Sequence, residues 1–127
     1  MRKAFGSVCL AYLVACLVAL AQGFAAEAQG WHPIAVVLAA DVAATLAIFA
    51  FSFAFGNSSF YDPYWSVAPP AIALYFGLRA TSEDVAGLRV ALVFALVLTW
   101  AARLTWNWAR GWQGLGHEDW RYRRLRE

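Results

Sequence analysis

A chain of 127 residues that is 62% hydrophobic, 17% aromatic and only 14% charged carries more apolar surface than a water-soluble core of this size can hide. The formal net charge of +2 is too small to point to a polyanionic partner, so no nucleic-acid role is expected. The expected fold class is all-α, a polytopic transmembrane helix bundle of about four spans, embedded in a lipid bilayer.

Met1-Arg2-Lys3 leads into the first predicted span, over residues 6–24. With the Ala19-Leu20-Ala21 triplet this stretch meets the rough description of a cleaved secretory signal. Its apolar run is long for a signal core and the remainder is itself membrane-integral, so a retained first span is the simpler reading, with cleavage near residue 21 as its rival. Cys9 and Cys16 lie seven residues apart, roughly 10 Å along the helix, too far for a disulfide within it. They read as small packing residues in the lipid phase. The connection from Ala25 to His32 has no Lys or Arg and suits an outside loop, whereas six of the ten basic residues lie from Arg103 onward and two more are Arg2 and Lys3. Both termini are therefore expected in the cytoplasm.

The second span is predicted over 33–56 and holds Asp41, an intramembrane ionisable group and so a functional candidate. Phe49 to Phe55 alternate with period two, yet this run continues an apolar segment too long for a strand, so it is read as helix. Then comes Asn57-Ser58-Ser59-Phe60-Tyr61-Asp62-Pro63-Tyr64-Trp65-Ser66, which sets a carboxylate, two phenols, an indole and several amide or hydroxyl groups between two apolar runs. Unpaired polar groups cost several kcal/mol in hydrocarbon, so such a cluster is expected to face a protein-lined cavity. Asp62 is the first choice for chemistry, because a carboxyl beside Tyr61 and Tyr64 in a partly dry turn can hold or donate a proton. Its plainer reading is as helix N-cap, with Pro63 as first helical residue. Asn57, Trp65, Trp100 and Asp41 are candidate cavity residues. The third span, over 65–79, contains Pro69-Pro70, which should leave the carbonyls of Trp65 and Ser66 without helical partners and make the helix bend or start late.

Arg79 and Arg89 flank the next connection, and the fourth span is predicted over 87–108. Thr99, Arg103, Asn107 and Arg110 share one helical face, expected to be turned away from lipid, and Arg103 lies about 24 Å along the helix, where it could meet Asp62. Glycines at 111, 114 and 116 end the span. The Gly111–Gly116 run follows a helix rather than a strand and so is not a phosphate loop. His117-Glu118-Asp119 could open a short interfacial helix, and Glu118, Asp119, Arg121 and Tyr122 could clamp an anionic ligand such as a nucleotide phosphate. Alternatively, Trp120 and Tyr122 are belt residues of a solvated interfacial helix. His32 and His117 fall on opposite sides of the bilayer, so no metal site is expected.

Two motifs, NSSFYDPYWSVAPP at Asn57 to Pro70 and RLTWNWARGWQGLGHEDWRYRRLR at Arg103 to Arg126, resemble the bacterial DUF1295 proteins of the steroid 5α-reductase superfamily. The resemblance covers nearly the whole chain. It implies a multi-pass protein of a bacterial inner membrane, an NADPH-dependent reductase of steroid-like or other lipid enones. Relatives deliver hydride to the β-carbon of an enone while polar side chains polarise its carbonyl. By resemblance Asp62 corresponds loosely to an active-site glutamate, and Tyr61 or Tyr64 would replace a phenol found where this chain has Trp100. Arg103, Asn107, Arg110, Glu118, Asp119, Arg121 and Tyr122 would contribute to the cofactor site. An Arg-x-Pro-Asn-Tyr-like cofactor segment is not found in this sequence, so the expectation for residues 1–127 is a single transmembrane unit equivalent to the amino-terminal half of a larger reductase. The alternatives are a non-catalytic membrane module that binds a lipid or partner helices, and a membrane methyltransferase, whose hallmark residues this sequence does not show.

Overall fold

A computed structural model describes residues 2–80, 87–116, 118 and 120–125, with side chains between residues 4 and 124. The connection expected before the fourth span lies largely outside the described residues, as do His117 and Asp119. The elements are α1 (Arg2–Ala28), α2 (Pro33–Ala54), a 3-10 turn (Ser58–Phe60), α3 (Tyr64–Arg79), α4 (Gly87–Gly111) and α5 (Trp120–Leu125). All three of α1, α2 and α4 are long and apolar enough to cross a membrane. The protein is an all-α membrane protein. The third of the expected spans, α3, has 16 residues and so extends about 24 Å, less than the roughly 30 Å of a hydrocarbon core.

The chain forms two compact units, one of residues 1–62 with 113–127 and the other of residues 63–112. In the first, α1 and α2 pack as an antiparallel hairpin. Their seam is built from small side chains: Ala4, Val8, Ala11, Ala15 and Ala26 of α1 are buried, as are Val36, Ala44, Ile48 and Ser52 of α2. These recur every three or four residues, which puts them on one face of each helix, while Leu10, Leu13, Leu17, Leu38, Leu46 and Phe53 are exposed. In lipid such a seam holds by close backbone approach rather than by expulsion of water. Cys9 and Cys16 are both exposed and free.

Both helices end on the same device. Gly30 (φ 73°) and Gly56 (φ 58°) take the left-handed conformation that a Cβ would strain. After α1, Gly30 N–H donates to Glu27 O and Trp31 N–H to Ala26 O. After α2, Gly56 N–H donates to Phe53 O and Asn57 N–H to Ser52 O. These are Schellman closures, and they satisfy carbonyls of the last turn that lack intrahelical partners. α2 then begins on His32, whose Nδ1 accepts from Ile34 N–H, with Pro33 at the first helical position.

The second unit is the antiparallel pair α3 and α4. Contrary to the expected late start, α3 begins at Tyr64 and runs unbroken through Pro69-Pro70. Its first turn is nucleated before the prolines, because Pro63 O accepts from both Ser66 N–H and Val67 N–H. Proline costs a donor there, not the helical φ. On α4 the buried or half-buried positions include Ala101, Thr105, Trp108 and, just past the helix, Trp112. Thr99, Arg103, Asn107 and Arg110 lie together on an exposed face of α4. Spacing showed that they lie together; it could not show which way they look.

Candidate functional site

The polar turn is the most heavily bonded part of the first unit. Beyond Gly56 the backbone doubles back beside α2: the Phe60 ring, fully buried, lies 6.3 Å from Phe51 and 5.1 Å from Phe55 between centroids. Its carbonyl accepts from the Tyr12 hydroxyl at 3.0 Å. Tyr12 is ten residues from the start of α1, roughly 15 Å along its axis, so the turn folds back alongside the helical hairpin instead of leading straight away from it. Irregular backbone packed against membrane-crossing helices needs its polar groups satisfied by protein.

The satisfying groups come from the carboxyl-terminal stretch. Asn57, 2% exposed, accepts the Ser59 amide on its Oδ1 and donates its Nδ2 to Leu115 O, each at 2.8 Å. The Ser58 amide donates to Glu118 Oε1 at 2.8 Å, a charge-assisted bond at the start of the 3-10 turn. Tyr122 donates its hydroxyl to Asp62 Oδ1 at 2.8 Å, and Arg121 Nη2 stands 4.0 Å from the same oxygen. The Asp62 side chain is 18% exposed and that of Arg121 60%, so the phenol is the stronger partner and the guanidinium a screened one.

Five of the expected site residues are thus brought together in one unit: Asn57, Asp62, Glu118, Arg121 and Tyr122. Asp62 is not the N-cap of α3. Pro63 holds that position without a side-chain cap, and the Asp62 carboxylate accepts from Tyr122. Tyr61 is half-buried on the same turn, and Asp41 is half-buried on α2 well away from it in sequence. The remaining candidates belong to the second unit. There Tyr64 is buried, whereas Trp65 (62% exposed), Trp100 (45%), Arg103, Asn107 and Arg110 are open. Its own polar link is Ser66, buried, whose Oγ donates to or accepts from Thr105 Oγ1 at 2.8 Å. Trp108 and Trp112 stack below it at 5.0 Å. Tyr12, the Leu115 carbonyl and Thr105 were not singled out from sequence. Only Tyr12 leaves a trace there, as a phenol midway along an apolar run.

Residues 48–127 match the family described as Protein of unknown function (DUF1295). That stretch begins in the last two turns of α2 and contains every member of the polar network except Tyr12, where the sequence suggested likeness over nearly the whole chain. Uncharacterized protein C594.04c of Schizosaccharomyces pombe (strain 972 / ATCC 24843) is 35% identical over 72 residues, which make up 56% of this chain and 21% of that protein. The chain thus spans about one fifth of the length of this relative. No solved structure matches.

Proposed function

We propose, from the premise that this chain belongs to the DUF1295 family, that it supplies the carbonyl-polarising side of a membrane reductase acting on steroid-like or other lipid enones. The observation that carries this reading is the pairing of Tyr122 with Asp62 on a turn held against the helical hairpin by Tyr12. A phenol and a carboxyl that share one hydrogen bond can pass a proton between them. In a largely dry setting either one, when protonated, can face an oxygen on which negative charge develops. Tyr61 adds a second phenol to that turn.

NADPH, the cofactor implied by family resemblance, is a poor match for the donors of this unit. Two groups expected to meet phosphates, Arg121 and Tyr122, are aimed at Asp62, and Glu118 covers the Ser58 amide. Donors that a dinucleotide phosphate could use are thus already engaged by acids of the same unit. The hydride donor would have to be held by other residues.

The test is made on membranes from cells expressing the uninterrupted reading frame, given NADPH and a steroid-like enone. Enone-dependent NADPH oxidation with a saturated ketone as product is expected, and Asp62→Asn should lower it by about two orders of magnitude without altering protein levels. Absence of enone-dependent oxidation from the wild-type protein would overturn the reading. One observation favours a second reading, a non-catalytic module: the Asn57–Asp62 turn is bonded to Leu115, Glu118 and Tyr122, as a structural clasp would be. Under that reading Asp62→Asn loosens residues 113–125 and changes no turnover.

A further inference from the structure

Within α5 the phenol of Tyr122 is fixed inward by Asp62. At about 100° per residue, Trp120, Arg123 and Arg124 then fall within one arc of roughly 100° on the opposite side of the helix. All three are exposed, Trp120 at 63%. The same unit contains α1 and α2, both long enough to cross a bilayer, and Asn57 just beyond α2 donates to the carbonyl of Leu115, five residues before α5. The short helix is therefore tethered beside the end of a membrane-crossing hairpin, with an indole and two guanidiniums turned outward.

We propose that the Trp120–Arg123–Arg124 face binds the headgroups of anionic phospholipids. An indole seats at the boundary of headgroup and acyl chain, where its ring is apolar and its N–H wet. Guanidinium forks match the two free oxygens of a phosphodiester, and a lipid with net negative charge gains over a zwitterionic one at such a site. The face is independent of the reductase reading, because neither Asp62 nor the turn contacts the lipid. Tyr122 links the two only mechanically: it sets the rotation of α5 that presents the arginines.

Detergent-solubilised chain is titrated with short-chain phosphatidylglycerol and, separately, with phosphatidylcholine, and bound lipid is counted by native mass spectrometry. Phosphatidylglycerol is expected to bind more tightly, with the preference shrinking as salt rises. Each arginine contributes about fivefold, so the Arg123→Gln/Arg124→Gln double variant should weaken phosphatidylglycerol roughly thirtyfold and phosphatidylcholine much less. Tyr122→Phe, which frees the rotation of α5 but keeps both charges, should give an intermediate loss. Equal binding of the two lipids by the wild-type chain, or an unchanged preference in the double variant, overturns the proposal. Since both arginines are exposed, loss of folding is not expected, and circular dichroism of the variant checks it.

Discussion

In the unit of residues 1–62 and 113–127, side chains tie together positions 48, 58 and 60 residues apart, and their donors converge on one short turn. In the unit of residues 63–112, Ser66 and Thr105 join two helices whose arginines at 79, 89, 103 and 110 are exposed. Both are antiparallel helix pairs of similar composition. The difference is where the polar atoms go: one unit spends them on its own irregular backbone, the other displays them. A segment that must leave helical geometry against membrane-crossing helices needs partners from elsewhere in the chain, whereas regular helices need none.

The largest effect is expected from Asn57→Ala. It strips the Ser59 amide and the Leu115 carbonyl of partners in a buried place, at a cost of about 2–3 kcal/mol by unfolding in mixed detergent micelles. Amide exchange across residues 115–122 should quicken in the same variant. A cost near zero would mean that the turn keeps its shape unaided, and the contrast between the units would fail. Ser66→Ala removes the hydroxyl that pairs with Thr105 and donates to the local Pro63 carbonyl, and should cost about 1 kcal/mol in the same assay. A cost equal to that of Asn57→Ala would show the second unit to be as dependent on buried polar contacts as the first.

The smallest effects separate the helix seams. At Gly23 an added Cβ would meet Ala40 Cβ at 3.9 Å and Val36 Cγ1 at 4.0 Å, ordinary contacts, so Gly23→Ala should stabilise by about 0.5–1 kcal/mol through helix propensity. At Gly77 it would lie 3.3 Å from Val90 Cγ1, tight enough to cancel the gain, and Gly77→Ala should fall within about 0.5 kcal/mol of neutral. A clear stabilisation at Gly77 would mean that α3 and α4 adjust more freely than α1 and α2.

Much of this architecture is written in the sequence. Runs of apolar residues located α1, α2 and α4 to within a few residues, although α1 continues past the expected end to Ala28 and α4 to Gly111. The density of polar groups between Asn57 and Ser66 marked the turn, and Asp62 within it. What could not be read were the partners. A backbone acceptor such as Leu115 O has no residue signature, and a lone Tyr12 among alanines and leucines looks like any belt or lipid-facing phenol. Asp62 before a proline satisfies the rule for an N-cap, yet Pro63 takes that position, and a phenol 60 positions later donates to the carboxylate. Likewise the spacing of Arg103 and Arg110 fixes a common face, but orientation depends on what α4 packs against, and its small and indole side chains at 101, 108 and 112 decided that.

Because Asp62 meets Tyr122 only after 60 further residues have been made, its carboxylate has no such partner while α3 and α4 are still being synthesised. At ordinary elongation speeds that interval is about 3–12 s. The hairpin of α1 and α2 can be in place from the outset, with Tyr12 already able to grip Phe60, so the contact between Asp62 and Tyr122 closes only after the hairpin that carries it has formed.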